Sequence, residues 1–315
     1  MTSQPLITLF TSPKPFTNPR INVIQRNAIR SWVELGDRVQ VVLLGEEDGL
    51  AEAARDLHVL HLPEVGRNEL GTPLISSLFS QARRVNQSPL LAYVNADIIL
   101  FPDFVTAAAR MVEQVKRFLM VGQRWDMQII ELLDFSPGWQ NRLREQCEVN
   151  GRLHKPMGSD YFVFPRSCFE NIPDFAIGRA GWDNWMIYEA RQRGCQTVDA
   201  TPDVLIIHQD HDYSHLPGGQ PHYRLPETGE NVRLAGGKRH IFLLTDANLT
   251  LENGKVKRKP FTWQRFWREV EIFPLVKLHS GFLGNLSFIL GHPRKAYEEW
   301  RTAQKNSTAL KEQES

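Results

Sequence analysis

At 315 residues the chain is long enough for one large α/β domain or two small ones. Its hydrophobic fraction of 42% and charged fraction of 23% are those of an ordinary globular protein. Lys+Arg 37 against Asp+Glu 36 leaves no global field to draw in a polyanion, so nucleic acid is not the expected partner.

The first half alternates strand and helix signals, the pattern of a parallel sheet with crossover helices. Leu6 to Phe10 is β-prone and ends in the breaker-rich loop Thr11-Ser12-Pro13-Lys14-Pro15. Asn22 to Leu35 places Val23, Ile24, Ala28, Ile29, Trp32 and Val33 at helical spacing and stops at Gly36. Val39 to Leu44 reads as a buried parallel strand, Leu50 to Asp56 as a helix and Val59 to Leu62 as a third strand. Pro73 to Val85 is a predicted helix with Arg83 and Arg84 near its C-terminus. Leu90 to Val94 is the next strand, Asp103 to Phe118 an amphipathic helix and Leu119 to Gly122 a strand. Residues 123–180 hold short elements and polar turns. Phe162 to Pro165 and Val204 to His208 look like strands and Trp182 to Arg193 like a helix.

Residues 209–240 read as a loop carrying His211, His215, His222 and His240, and a loop of that length is usually functional or mobile. From Phe261 the chain is helical and aromatic, and after Ala303 it is polar and expected to fray. The expected organisation is one α/β domain over 1–240, split into a nucleotide-binding half 1–125 and an acceptor half 126–240. A helical extension over 241–303 and a flexible tail over 304–315 follow. Cys147, Cys168 and Cys195 form no CxxC pair, which argues against a disulfide framework or a cysteine zinc site. The opening Met-Thr-Ser-Gln-Pro has no signal-peptide character, and no run reaches the ~18–20 apolar residues that span a bilayer. A cytoplasmic protein is expected, with peripheral membrane contact through 261–300 as one reading of its aromatic and basic mix and helix packing or a homodimer as the other.

The most informative position is Asn95-Ala96-Asp97, at the end of the strand Leu90 to Val94. A carboxylate at the carboxyl end of a buried parallel strand sits where ligands bind in open sheets, and it suits a divalent metal that bridges phosphates. An Asp in a turn after a strand also caps that turn. Gly181-Trp182-Asp183-Asn184-Trp185 opens a helix, where Asp183 is either a cap or a carboxylate aimed into a cleft. Ile206-Ile207-His208 ends a strand in a histidine that can complete a metal site, with His211 and His215 as alternatives.

In order and spacing these segments resemble GT-A-fold, nucleotide-sugar-dependent glycosyltransferases, of the family-2-like and exostosin-like kind, over about residues 5–215. Asn95-Ala96-Asp97 resembles the DxD motif with its first Asp replaced by Asn. Gly181-Trp182-Asp183 resembles the Gly-Trp-(Glu/Asp) element, and Gly158-Ser159-Asp160-Tyr161-Phe162 a (Gly/Ser)-x-Asp-x-Phe segment. Gln25-Arg26-Asn27 with Ser31-Trp32 resembles the "QRNxxxSW" opening.

The resemblance implies a single GT-A domain with a mostly parallel sheet. It implies transfer of a sugar from a nucleoside-diphosphate sugar to a carbohydrate or lipid-linked acceptor hydroxyl. Asp97 and His208 are then expected to hold Mn²⁺ or Mg²⁺, and Asp183 to act as the general base of an inverting reaction. Thr11, Ser12, Pro13, Arg26, Glu46, Arg83 and Asn95 are the expected donor contacts, and Asp160, Tyr161 and Trp182 the sugar and acceptor contacts. Nucleotidyl transfer is disfavoured because the Phe10 to Pro15 loop has no glycine. A retaining transferase is one alternative. A degenerate domain that binds a sugar nucleotide or a partner protein is another, and Asn95 supports it.

Overall fold

The computed structural model describes residues 4–211 and 225–313, which fall into two compact units, Met1–Lys259 and Pro260–Ser315. In the first unit, β1 (Ile7–Thr11), α1 (Pro19–Val33), β2 (Val39–Leu44), α2 (Leu50–Asp56), β3 (Leu60–Leu62), α3 (Ile75–Val85) and β4 (Leu90–Val94) alternate regularly. There follow β5 (Ile98–Leu100), α4 (Pro102–Gln114), β6 (Phe118–Val121), β7 (Trp125–Met127), α5 (Trp139–Asn150), β8 (Arg152–Leu153) and β9 (Tyr161–Pro165). The unit closes with α6 (Trp182–Gln192), β10 (Gln196–Asp199), β11 (Ile206–Gln209), α7 (Pro226–Leu234), β12 (Leu249–Glu252) and β13 (Lys255–Arg258).

A nine-stranded sheet runs β13-β12-β10-β6-β9-β4-β1-β2-β3. Its pairings are parallel except where β9 lies antiparallel to β4 and β6 and where β13 folds back on β12. This is the mostly parallel α/β architecture expected from the sequence. The strands β1 and β4 are buried along their whole length, which is why they read as unbroken β-prone runs. A second sheet, β5-β11-β7-β8, begins immediately after β4.

Helix α1 shows how the local sequence builds the frame. The Asn18 side chain accepts from the backbone N–H of Arg20 and Ile21, and Pro19 occupies the first turn, where no N–H is needed. Ile21, Ile24, Ala28, Ile29 and Trp32 form its buried face. Of the motif residues of this helix, Gln25, Asn27 and Trp32 are buried hydrogen-bonding groups. The Gln25 side chain accepts from the Lys14 N–H at 2.6 Å and donates to the Lys14 carbonyl at 2.8 Å. Asn27 binds the Glu131 carbonyl, the Gln209 side chain and the Leu133 N–H. Trp32 donates to the Ile98 carbonyl at 2.9 Å. The helix thereby fixes the loop after β1 and the entry to the second sheet.

Residues 241–258, which sequence patterning grouped with the helical extension, belong to the first unit and supply the edge hairpin β12–β13. Within the stretch 209–240 read as loop, Pro226–Leu234 is helical. The second unit consists of α8 (Trp263–Val276), α9 (Gly281–Gly291) and α10 (Pro293–Gln313), so the backbone of 304–313 continues a helix. No helix among the described residues is long and apolar enough to cross a membrane.

Candidate active site

Asp97 lies in the turn between β4 and β5, where the main sheet hands over to the smaller one. Register then decides its neighbours. β11 runs antiparallel to β5 with His208 opposite Ile98, and β7 runs parallel to β11 with Asp126 opposite His208. Side chains alternate along a strand, so Ile207 enters the apolar cluster of Ile99, Met127 and Trp139, while His208 points to the other face. Gln209 anchors the crossing, its backbone N–H donating to the Asp97 carbonyl at 3.2 Å.

Three side chains converge there. Nε2 of His211 lies 3.2 Å and Nε2 of His208 3.9 Å from Oδ2 of Asp97. One ligand atom from each of the three falls within 4.8 Å of the others. Burial opposes ionisation of Asp97, but the hydrogen bond from His211 and the charges of His208 and Lys14 hold its carboxyl far below the usual carboxylate range. Its Oδ1 is buried and has no hydrogen-bond partner among the described residues. A buried, ionised oxygen left open beside two imidazoles fits a divalent cation, and the O,N,N donor set suits Mn²⁺ better than Mg²⁺.

Behind this trio stands a charged scaffold. Oδ1 of Asp126 is 3.2 Å from Nδ1 of His208, the ring nitrogen turned away from Asp97. Oδ2 of Asp126 contacts Nδ1 of His154 at 2.6 Å. Arg124 donates at 2.8 Å to both Asp126 and the buried Asp160. Burial lowers the proton affinity of His208, yet Asp126 and Asp97 outweigh it and its pKa is raised. Asp126, His208 and Asp210 also bring their ligand atoms within 4.8 Å of one another.

Asp183 sits in the first turn of α6, after Gly181, whose φ of +111° is open to glycine and strained for other residues. Burial drives its pKa up to about 6, the neighbouring Asp160 adds to the rise, and backbone N–H groups of the helix start only partly offset it. Asp160 precedes β9, whose Tyr161 pairs with Val94 at the end of β4. Asp97 and Asp183 therefore both belong to the carboxyl edge of β4. A cleft of about 510 Å³, lined by Asn18, Arg20, Ile21, Gln128, Ile130, Asp210 and His211, opens beside the metal-type cluster.

No family model matches the chain, and no curated protein matches it in sequence. In fold it is similar to a mannosyltransferase from Pyrobaculum calidifontis in complex with GDP-Man and Mn²⁺, with 16% identity, a TM-score of 0.41 and 66% of this chain covered. The match spans 57% of the mannosyltransferase, less than two thirds of its length. It is also similar to glucosyl-3-phosphoglycerate synthase from Mycobacterium tuberculosis in complex with Mg²⁺ and uridine diphosphate. That match has 15% identity and a TM-score of 0.43, and it covers 66% of this chain and 72% of the synthase. The same enzyme with phosphoglyceric acid gives 13% identity, a TM-score of 0.45, and coverage of 74% of this chain and 81% of that one. Similarity at this level carries no argument about chemistry, which rests on the side chains themselves.

The structure brings together Asp97 and His208, with His211 as their third partner; His215 and His222 lie outside the described residues. Asn95 is engaged within the chain: its amide donates to Asp160 at 3.0 Å and its oxygen accepts from the Tyr93 hydroxyl at 3.0 Å. Asp160 is itself engaged by Arg124. Tyr161 is not at a sugar face but in the main core, its ring edge-on to Phe104 at 5.4 Å. Trp182 is likewise buried, edge-on to Tyr93 at 4.9 Å. The motif resemblance makes both side chains expected sugar contacts, but strand and helix facing turn them inward.

Arg83 donates to the carbonyls of Arg166, Cys168 and Phe169. Arg166 follows Pro165, which pairs with Leu90, so Arg83 stands at the starting edge of β4, opposite Asp97. Arg26 pairs with Asp56 at 2.8 Å. Glu46 is exposed and lies 3.6 Å from Arg67. Thr11 and Pro13 are buried and Ser12 half-buried at the end of β1.

The sequence reading overlooked Lys14 and Asp126. Lys14, in the loop after β1, feels the field of Asp97, and burial lowers its pKa. Asp126 follows β6 in Gln123-Arg124-Trp125-Asp126, and the strand-end rule that singled out Asp97 would have drawn attention to it.

Proposed function

We propose that the chain is a GT-A-type glycosyltransferase that moves a sugar from a nucleoside-diphosphate sugar to a carbohydrate or lipid-linked acceptor hydroxyl, with inversion. The observation that carries this reading is the pairing of two unlike carboxylates at one sheet edge. Asp97 is held ionised beside two histidines, and Asp183 is pushed up to about 6. Environments that drive two carboxyl groups apart in acidity mark distinct chemical roles.

Asp97, His208 and His211 would hold Mn²⁺ or Mg²⁺, which when bound supplies positive charge to a diphosphate. Asp126 holds the Nδ1 side of His208 and so turns Nε2 toward Asp97. Lys14 adds a cation beside Asp97. Asp183, ionised above about pH 6, accepts the proton of the acceptor hydroxyl as that oxygen bonds to the anomeric carbon and the bond from that carbon to the diphosphate oxygen breaks, the nucleoside diphosphate leaving with the electron pair.

The test is release of nucleoside diphosphate from a panel of UDP- and GDP-sugars with Mn²⁺ and simple sugar acceptors. Anomeric configuration is read by NMR. One donor consumed with inverted product supports the assignment. A retained configuration transfers the fold to the retaining alternative, and no consumption of any donor leaves the binding-module reading.

A further inference from the structure

The starting edge of the main sheet, at the end opposite Asp97, carries a pair of sulfurs that the proposed reaction does not use. β6 lies between β9 and β10, and because β9 runs antiparallel, its end meets the starts of the other two. Cys168, in the turn after β9, and Cys195, between α6 and β10, are thereby brought together from 27 positions apart, Sγ to Sγ at 3.5 Å. Both are buried, 2% and 5% exposed. Arg117, just before β6, is exposed, and its guanidinium stands beside both sulfurs. The pair therefore lies directly beneath the surface.

A disulfide holds its sulfurs at about 2.05 Å, so closure asks for an approach of about 1.5 Å. The flanks allow it: both cysteines lie outside helices and strands, and Cys195 follows Gly194, a turn residue at φ +70°. The attacking species in sulfur chemistry is the thiolate. A hydrogen bond from Cys195, together with the Arg117 cation, outweighs burial and holds Cys168 below the usual thiol range. The same hydrogen bond, with burial, pushes Cys195 up. One sulfur is thus set to attack and the other to resolve. Cys147 differs: it sits on α5 in an apolar cluster, and burial raises its pKa.

We infer that Cys168 and Cys195 form a peroxide-sensitive dithiol that closes to a disulfide and ties the end of β9 to the end of α6. The Cys168 thiolate attacks one oxygen of hydrogen peroxide, the O–O bond breaks, hydroxide leaves, and the sulfur becomes a sulfenic acid. The Cys195 sulfur then attacks the Cys168 sulfur, the S–O bond breaks, and the oxygen leaves as water with the Cys195 proton. The segment so closed, 168–195, includes Asp183, but the site is independent of the sugar reaction and its test uses no donor. The full chain is reduced with dithiothreitol, desalted, exposed to hydrogen peroxide in native buffer and cleared with catalase. It is then unfolded and labelled with N-ethylmaleimide for intact mass and peptide mapping. The expected result is loss of two of the three labelled thiols, a Cys168–Cys195 cross-linked peptide, and recovery of all three labels after dithiothreitol. Cys195→Ser should stop at a sulfenic acid on Cys168, trapped by dimedone, and Cys168→Ser should keep its remaining thiols. Because either variant can be lost to misfolding, the wild-type result decides. Wild type that keeps three labels, a cross-link through Cys147, or oxidation past the sulfenic acid without a cross-link overturns the inference.

Discussion

Replacing Asp183 by asparagine should remove transfer and at the same time stabilise the fold in alkaline solution. The carboxyl rises from an ordinary 3.8 to about 6, chiefly through burial. That rise corresponds to about 3 kcal/mol of differential stability. The carboxylate keeps some contact with solvent, and screening brings the realistic figure to about 1–2 kcal/mol. Because the folded pKa lies above the unfolded one, the penalty is absent below pH 3.8, grows as pH rises through about 6, and is fully present above it. Asp183→Asn should therefore match wild type in chemical denaturation near pH 4 and exceed it at pH 8. Transfer should fall by about 10²–10⁴ through loss of the base. Wild-type transfer should itself rise with pH through about 6, as the base deprotonates. Equal or lower stability of the variant at pH 8 would refute the burial argument, and surviving transfer would refute the role of base.

Asp126→Ala should free the His208 ring and weaken Mn²⁺ binding by about ten- to a hundredfold by calorimetry, while nearby Asp97 is untouched. Asn95→Asp, which restores a DxD-like pattern, should destabilise the fold by about 1–3 kcal/mol in urea titration. It exchanges a donor to Asp160 for a like charge beside Asp160 and Asp97. Arg83→Ala should cost about 2–3 kcal/mol by denaturation and leave nucleotide affinity unchanged, because the guanidinium is committed to three carbonyls at the far edge of β4.

Some elements were legible to the residue. Val39–Leu44, Leu50–Asp56 and Leu90–Val94 are runs whose burial matches their apolar pattern, and they fold where that pattern ends. β5 is the apolar run Ile98–Leu100, only three residues long and separated from β4 by a short turn, and its membership of another sheet is set by pairing with β11. β7 is only three residues long and takes its identity from pairing with β11 and β8, which no local pattern reports. The β12–β13 hairpin had a readable signal in Asn253-Gly254, whose φ values of 53° and 70° are those of a tight turn.

At the site, strand ends drew attention to Asp97 and His208, because chain order places such residues at a sheet's edge. Direction was the missing information elsewhere. Tyr161 and Trp182 have the composition of sugar-stacking residues, but facing sends both into the core. Arg83 has the charge for a phosphate, but the backbone of a distant turn captures it. Asp126 reaches His208 only through the parallel pairing of β7 with β11, a contact between residues far apart in sequence.

The central claim, a divalent cation held by Asp97, His208 and His211 for a nucleoside diphosphate, is tested most directly by calorimetric titration with UDP and GDP. The titrations are run with and without Mn²⁺, on wild type and Asp97→Ala. The account predicts that one nucleotide binds wild type only when Mn²⁺ is present and that the variant loses this binding. Metal-independent binding that survives Asp97→Ala, or no binding of either nucleotide to wild type, would contradict it.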